Sequence, residues 1–372
     1  MNKVLIAPRK YVQGAGVLKE IGSYLAALGS KPALLWDSAV KEIVAETVLN
    51  SIAEAGLEVV DVDFQGDTTK PEAARFADII KDTGADIAVA IGGGKTLDTA
   101  KAAAATTGVK TVTVPTIASN DSPTSSYTVW YDDEGNCMGF ESWGVNPDLV
   151  LVDSQVIANA PVTAFVAGMG DGLGTWVEVD ACVKGQAGNL AGGRSTMVAT
   201  AIAKLCYDVL MEHGAAARKD IEQNTVTPAV EKVIEANVLM SGLGFESGGV
   251  ATAHMIANCL PSFAECHHLM HGHEVGFGVI SQLCLDKDFD VDERNAIVDF
   301  EIAIGLPVTF ADIGLEGVER SRLQTIGDIC GSEGSLCHNH PFAVTADDVI
   351  DAMIAADALG RQRKDIMGVA NG

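Results

Sequence analysis

The stretch DIAVAIGGGKTLDTAK, Asp86–Lys101, constrains the fold more than any other part of this chain. Asp86–Ile91 is a short, nearly continuous apolar run, the pattern of a strand buried on both faces of a parallel sheet. Gly92, Gly93 and Gly94 follow, and Lys95–Ala105 then has the alanine-rich composition of a helix. A strand, a glycine turn and a helix start make a place for an anion. Glycine lets the backbone come close, and the first helical N–H groups together with the helix dipole favour negative charge. A P-loop needs glycine five residues before its last one, and Val89 stands there. The G-x-G-x-x-G fingerprint fails too, because Thr96 and Leu97 follow where its last glycine belongs. A phosphate site and a plain tight turn are the two readings that remain.

The flanking sequence repeats the alternation. Leu34–Asp37 ends a strand, Val40–Ala55 has helical spacing, Val59–Phe64 is the next strand and Ala73–Lys81 the next helix. Thr111–Val114 follows the glycine turn and its helix. Strands alternating with helices imply a doubly wound, mostly parallel sheet, with ligands at the carboxyl ends of its strands. Those ends expose Asp37, Gly92–Gly94 and Thr116–Ser119, which should face one cleft. Asp37 can hydrogen-bond ribose hydroxyls and repel a 2′-phosphate, or it can cap the helix that starts at Ser38. Tyr127–Tyr131 and Met138–Glu141 flank Asp133-Glu134-Gly135-Asn136 as a hairpin, and Leu149–Val152 is one more strand. From about Pro161 the pattern is helical, with no convincing strand beyond Asp153. The expected division is therefore an α/β domain over 1–159 and an all-helical domain over 160–372.

Bulk properties exclude several classes. The net charge of −25 argues against nucleic acid or an anionic membrane surface as the main partner. No run reaches the roughly 18 apolar residues of a membrane span. Val4–Ala7 before Arg9 and Lys10 is too short for the core of a signal peptide. The 8 cysteines include no C-x-x-C pair, as expected of reduced thiols in a cytoplasmic protein.

Five of the 8 histidines, His254, His267, His268, His271 and His273, cluster in the helical half. His254 lies in GGVATAHMIANCL, and His271 opens HGHEVGFGVISQL, which reads as a helix starting near Gly272. Asp171, in GMGDGLGTWVEVDA, is expected near the start of a long helix and can join them. Two imidazoles and a carboxylate suit zinc with an open position. A structural site from Cys259, Cys266, His267 and His268 is the alternative on composition, with poor spacing, and His267 and His268 also fit a plain surface role.

Long, ordered motifs then carry a resemblance over nearly the whole chain. IAPRKYVQG (6–14), GGGKTLDTAK, VPTIASNDSPTSS, NPDLVLVD, GMGDGLGTWVE, GGVATAH, HGHEV and HNHPFAVTADDVIDAMIAADALG resemble the metal-dependent (iron or zinc) alcohol dehydrogenase family, and within it the glycerol branch. The resemblance implies a dehydroquinate-synthase-like architecture with the active site in the cleft between the two domains. It makes Asp171, His254 and His271 the ligands of one zinc per subunit. Thr175 stands where iron enzymes of the family place a histidine four residues after the aspartate, which favours zinc. It puts NAD on Gly93, Gly94 and the turn Lys95–Asp98, with Thr116, Ser119, Ser125, Tyr127 and Val129 as further cofactor contacts, Asp37 at the adenosine ribose and Asp121 at the substrate end. The implied reaction is oxidation of glycerol and related 1,2-diols to dihydroxyacetone-type products, with hydride transfer to NAD⁺. The same resemblance implies a cytoplasmic homo-oligomer, an octamer.

Three departures bear on the substrate: Tyr127 replaces the usual leucine, HGHEV replaces HGEKV, and Asn146 follows Gly144-Val145 without the basic residue of some relatives. A dehydroquinate-synthase-like lyase or a glycerol-1-phosphate dehydrogenase would need lysines and arginines that are scarce near the metal motifs. A silent metal or nucleotide sensor is opposed by the intact ligand set and glycine turn.

Overall fold

A computed structural model describes residues 2–132 and 137–370. In chain order the first part holds β1 (Tyr11–Gly14), α1 (Ile21–Ala26), β2 (Pro32–Trp36), α2 (Ser38–Glu54), β3 (Val60–Asp63), α3 (Lys70–Thr83), β4 (Ile87–Gly92), α4 (Gly94–Thr107) and β5 (Lys110–Pro115). β6 (Tyr127–Tyr131), β7 (Cys137–Ser142) and β8 (Leu149–Asp153) complete the strands. Helices follow: α5 (Ser154–Ala158), α6 (Val162–Lys184), α7 (Met197–Ile221), α8 (Pro228–Glu235), α9 (Ser241–Gly248), α10 (Thr252–Cys259), α11 (His271–Leu285), α12 (Val291–Ile304), α13 (Arg320–Cys330) and α14 (Ala346–Met367).

Six strands form one parallel sheet in the order β1-β8-β5-β4-β2-β3. The chain moves outward from β2 to β3, then returns to β4 and continues through β5 to the other side. The order therefore reverses between β2 and β4, which opens a crevice at their carboxyl ends. Asp37 N donates to Ile91 O and Thr116 N to Gly92 O, both at 3.1 Å, so the three strand ends named above stand side by side.

The strands are apolar on both faces because helices cover both. Leu34 and Trp36 of β2 and Ile87, Val89 and Ile91 of β4 pack on α1 and α2. Ala33, Leu35, Ala88 and Ala90 pack on Phe76, Ile80, Leu97, Ala100 and Ala103 of α3 and α4. Small residues toward α4 let that alanine-rich helix approach the sheet closely. Complete burial of each such Leu or Ile contributes roughly 1.5–3 kcal/mol. β8 joins the two halves: Leu149 and Leu151 face the first core, while Val150 and Val152 pack with Phe165, Met169, Leu210 and Val233 of the helical part.

One element differs from expectation. β1 is an additional edge strand, half-buried, paired with β8 from Tyr11↔Val150 to Gly14↔Asp153. β6 and β7 pair antiparallel as expected, and the turn Asp133-Glu134-Gly135-Asn136 lies outside the described residues. Among the described residues no strand follows β8, apart from a single bridge between Lys3 and Arg194. No helix among the described residues is long and apolar enough to cross a membrane.

Candidate metal centre and nucleotide turn

α6 is apolar nearly all round and correspondingly buried, so a charged residue inside it needs a partner. Asp171 is the tenth of its 23 residues, mid-helix rather than near the start, and is wholly buried. The glycines around it explain the displacement of the expected helix start. They permit close approaches: a Cβ on Gly170 would lie 2.2 Å from Gly272 O of α11, and one on Gly168 would lie 1.9 Å from Ala118 O in the loop after β5.

Across that crossing stands His271, first residue of α11, with Nε2 3.8 Å from Asp171 Oδ1. His254, in the first turn of α10, places its Nε2 3.4 Å from the same oxygen. The imidazole rings tilt at 51° with centroids 5.5 Å apart, and Phe245 stacks on the outer side of His254. Asp171 Oδ1 is buried and has no hydrogen-bond partner, while Oδ2 accepts from Asp121 N at 3.2 Å. A tetrahedral zinc with bonds near 2.0–2.1 Å sets its ligand atoms about 3.4 Å apart. The donor set, its spacing and the orphaned oxygen fit such an ion. Among the described residues this is the only group of three His, Cys, Asp or Glu whose ligand atoms lie within 4.8 Å of one another.

The field around the triad favours a cation. Burial works against a charged His254, yet Glu178 and Asp171 hold its pKa well above the usual histidine value. Burial likewise opposes the charge of Asp171, but His254 and His271 hold its carboxyl below the usual range. For Asp121 the same histidines and Ser241 are outweighed. Burial, then the charge of Asp171, push it up to about 8. Its Oδ2 accepts from Ser241 Oγ at 2.9 Å, and Ser241 Oγ lies 2.8 Å from Thr175 Oγ1. Thr175 thus joins a buried hydroxyl chain to Asp121.

The alternative cysteine site does not assemble. Cys259 and Cys266 sit in a hydrophobic core, Cys266 Sγ donating to Ile313 O at 3.2 Å. His267 and His268 are exposed, each within 2.9 Å of a main-chain carbonyl, Pro261 O and Glu265 O. His273 meets Met270 N at 3.2 Å. All 8 cysteines are free.

At the glycine turn, Gly93 is the N-cap of α4 with extended backbone and no side-chain cap bond. The first N–H groups of α4 therefore have no side-chain acceptor. Gly92 is required by crowding, since a Cβ there would lie 2.8 Å from Thr96 Oγ1 and 2.9 Å from Asp37 Cβ. Asp37 caps α2, accepting from Ala39 N at 3.0 Å. Lys95 reaches outward to Asp67 at 2.5 Å and lies over the Tyr131 ring at 4.4 Å. Asp98 turns inward instead: it pairs with Lys101 at 2.8 Å and accepts from Ser122 Oγ at 2.5 Å and Val129 N at 2.9 Å. Lys101 Nζ also donates to Ser122 O at 2.9 Å and to Ser125 O and Oγ at 3.3 and 3.2 Å. This buried cluster shapes the loop that carries Asp121. Thr116 and Ser119 are buried beside the turn, and Tyr127 donates its hydroxyl to Leu190 O at 2.7 Å.

Sequence reasoning missed Ser241, Glu178 and Glu246. Glu246 is buried and accepts from Ser126 N at 2.8 Å, Ser126 Oγ at 2.5 Å and Asn146 Nδ2 at 2.5 Å. Asn146 is therefore a structural tether of this loop.

With this geometry in place, comparison with known proteins identifies the family. The pattern described as iron-containing alcohol dehydrogenase matches residues 8–154. A glycolaldehyde reductase of Halobacterium salinarum is 41% identical over 365 residues, 98% of this chain and 100% of that protein. A glycerol dehydrogenase of Thermotoga maritima is 40% identical over 368 residues, again 98% and 100%. The chain belongs to the iron-containing alcohol dehydrogenase family. This is an oxidoreductase family, and the fold agrees with it. The crystal structure of a probable glycerol dehydrogenase from Sinorhizobium meliloti superposes with TM-score 0.91 at 35% identity, covering 97% of this chain and 99% of that one.

Proposed function

We propose that this chain is a zinc- and NAD-dependent dehydrogenase that oxidises glycerol and related vicinal diols to hydroxyketones such as dihydroxyacetone. The orphaned, fully buried Asp171 Oδ1 between two imidazole Nε2 atoms is the observation that carries the reading. Asp171, His254 and His271 would hold the ion. A bound zinc would supply Lewis acidity, lowering the pKa of an alcohol so that its proton leaves near neutral pH.

The protein contributes position. Gly93 and Gly94 give the pyrophosphate a helix N-terminus without a competing side chain. Lys95, Asp98, Thr116, Ser119, Ser125, Tyr127 and Val129 would line or brace the cofactor side, and Asp37, at the switch point, would hold the adenosine ribose. A bound nicotinamide would supply the acceptor for hydride from the carbinol carbon, and the hydroxyl proton would leave to water. Asp121, fixed by Ser241, stands beside the triad as the hydrogen-bonding group for a substrate hydroxyl. Residues 1–159 serve the nucleotide and 160–372 the metal, and the Asp121–Asp171 contact marks where they meet. A cytoplasmic location is supported by 8 cysteines without a C-x-x-C pair.

A second reading has its own support, the 41% identity to a glycolaldehyde reductase. Reduction of a 2-hydroxyaldehyde is the reverse chemistry at a primary carbon, with the same neighbouring hydroxyl. The test follows NADH absorbance with NAD⁺ and glycerol, 1,2-propanediol, 2-propanol or ethanol at alkaline pH, and in reverse with dihydroxyacetone or glycolaldehyde. Loss of the second hydroxyl removes a hydrogen bond to Asp121 worth about 1.5 kcal/mol or more, so the diols should exceed 2-propanol at least tenfold in kcat/KM. If 2-propanol or ethanol matches them, the vicinal-diol assignment is wrong. If glycolaldehyde far exceeds dihydroxyacetone, the second reading replaces the first.

A further inference from the structure

Helix α10, which carries His254, begins at Ala251 without a capping side chain of its own. Its first N–H groups are buried, where unmet donors would cost about 1–3 kcal/mol each. Two side chains from neighbouring helices meet all four. Glu178 Oε1 accepts from Ala251 N at 2.9 Å and from His254 N at 2.8 Å. Gln282 Oε1 accepts from Thr252 N and Ala253 N, both at 2.9 Å, and its Nε2 donates to Val177 O at 3.1 Å.

The placement of these two residues repeats that of the metal triad. Glu178 follows Asp171 by seven residues on α6, and Gln282 follows His271 by eleven on α11. Those steps are about two and three helical turns, so each acceptor lies on the same face as the ligand of its helix. Each helix that brings one ligand to the triad thus also grips the helix that brings the third. Glu178 is wholly buried, and its charge sits at the positive end of α10. Its second oxygen meets His254 Nδ1. A carboxylate can only accept there, so Nδ1 carries a proton toward Glu178 and Nε2 is the ring atom turned to Asp171.

We infer that Glu178 and Gln282 form a clamp that positions His254 for the metal. Glu178 fixes both the start of α10 and the tautomer of the imidazole; Gln282 fixes the start of α10 alone. The inference rests on the metal reading given above, and the test separates the two. Zinc affinity is measured by competition with a chromophoric chelator for the wild type, Asp171→Asn, Glu178→Gln and Gln282→Ala. The visible spectrum of the cobalt-loaded proteins reports ligand geometry, and thermal unfolding of the stripped proteins reports the fold.

Glu178→Gln keeps an oxygen for the two backbone donors but loses the charge and the acceptor at Nδ1. It should bind zinc 10- to 100-fold more weakly, with an altered cobalt spectrum and a stripped-protein Tm close to wild type. Gln282→Ala should lower both the stripped-protein Tm and zinc affinity. If the wild type binds no zinc, or Asp171→Asn binds it equally well, the metal reading fails. If Asp171→Asn loses zinc while Glu178→Gln matches the wild type in affinity and spectrum, the clamp is overturned. Should Glu178→Gln not fold, nitrogen NMR of the stripped wild type decides: a proton on Nδ1 of His254 is expected, and a neutral ring protonated on Nε2 alone refutes the assignment.

Discussion

Gly272→Ala offers a direct probe of how the helix crossing sets the metal ligands. Gly272 follows His271, and a Cβ there would lie 1.8 Å from Ala167 O and 2.4 Å from Ala167 C, one turn before Asp171 on α6. Both obstacles are backbone atoms, so no rotamer change relieves them. Opening the 1.8 Å approach to the 3.4 Å of ordinary contact requires a shift of 1.6 Å between the two helices. Metal–ligand distances tolerate only about 0.2 Å. Overpacking of this kind costs about 1–3 kcal/mol or more, and here it falls on the elements that carry two of the three ligands. Gly276, one turn further along α11, is the control. A Cβ there would meet Leu306 at 3.5 Å and Glu301 at 3.8 Å, ordinary contacts, while alanine favours a helix interior by up to about 1 kcal/mol. Thermal unfolding and zinc titration of the two variants should diverge. Gly272→Ala is expected to lose both Tm and zinc affinity, and Gly276→Ala to keep both. A Gly272→Ala protein with wild-type Tm and zinc affinity would show that this crossing does not set the ligand spacing.

Asp37→Ser retains a helix cap but removes the charge, so thermal stability should hold while the preference for NAD⁺ over NADP⁺ narrows. A wild type that uses both cofactors equally would leave Asp37 only its cap role. Glu301 is wholly buried with no partner for either oxygen, and burial pushes its pKa well above the ordinary 4.5. The folded state therefore keeps a proton that the unfolded chain releases above pH 4.5, so the stability this group contributes at low pH is lost as pH rises toward its folded pKa. Urea unfolding of Glu301→Gln against wild type at rising pH above 5 should show the variant gaining up to about 1.4 kcal/mol per pH unit until the folded-state pKa of Glu301 is passed, and parallel curves would contradict this.

The sheet was legible because alternating apolar runs and helices leave a strong local pattern, and Asp86–Lys101 placed the nucleotide turn within it. β1 was not legible. Four half-buried residues acquire strand character only by pairing with β8, far along the chain. The three candidate ligands came from the histidine cluster and the family motifs, but the position of Asp171 within α6 did not. GMGDGLG reads locally as the start of a helix, and only the close approach of Gly168 to the Ala118 loop and of Gly170 to α11 shows why these glycines lie inside a buried one. Glu178, Gln282 and Ser241 were hidden for a related reason. Each acts on another helix, so the only trace in the sequence is the spacing of the first two from Asp171 and His271. Asp98 matched a cofactor motif by position, yet its side chain is engaged inward by Lys101, Ser122 and Val129.

The central claim is that one metal ion on Asp171, His254 and His271 is required for NAD-linked diol oxidation. It is tested most directly by titrating zinc into chelator-stripped protein while following NADH formation from glycerol. Activity should be near zero without zinc, rise linearly, and level off at one equivalent per chain, with no such rise in Asp171→Asn. Full turnover by the stripped protein, or an equal response from Asp171→Asn, would contradict the claim.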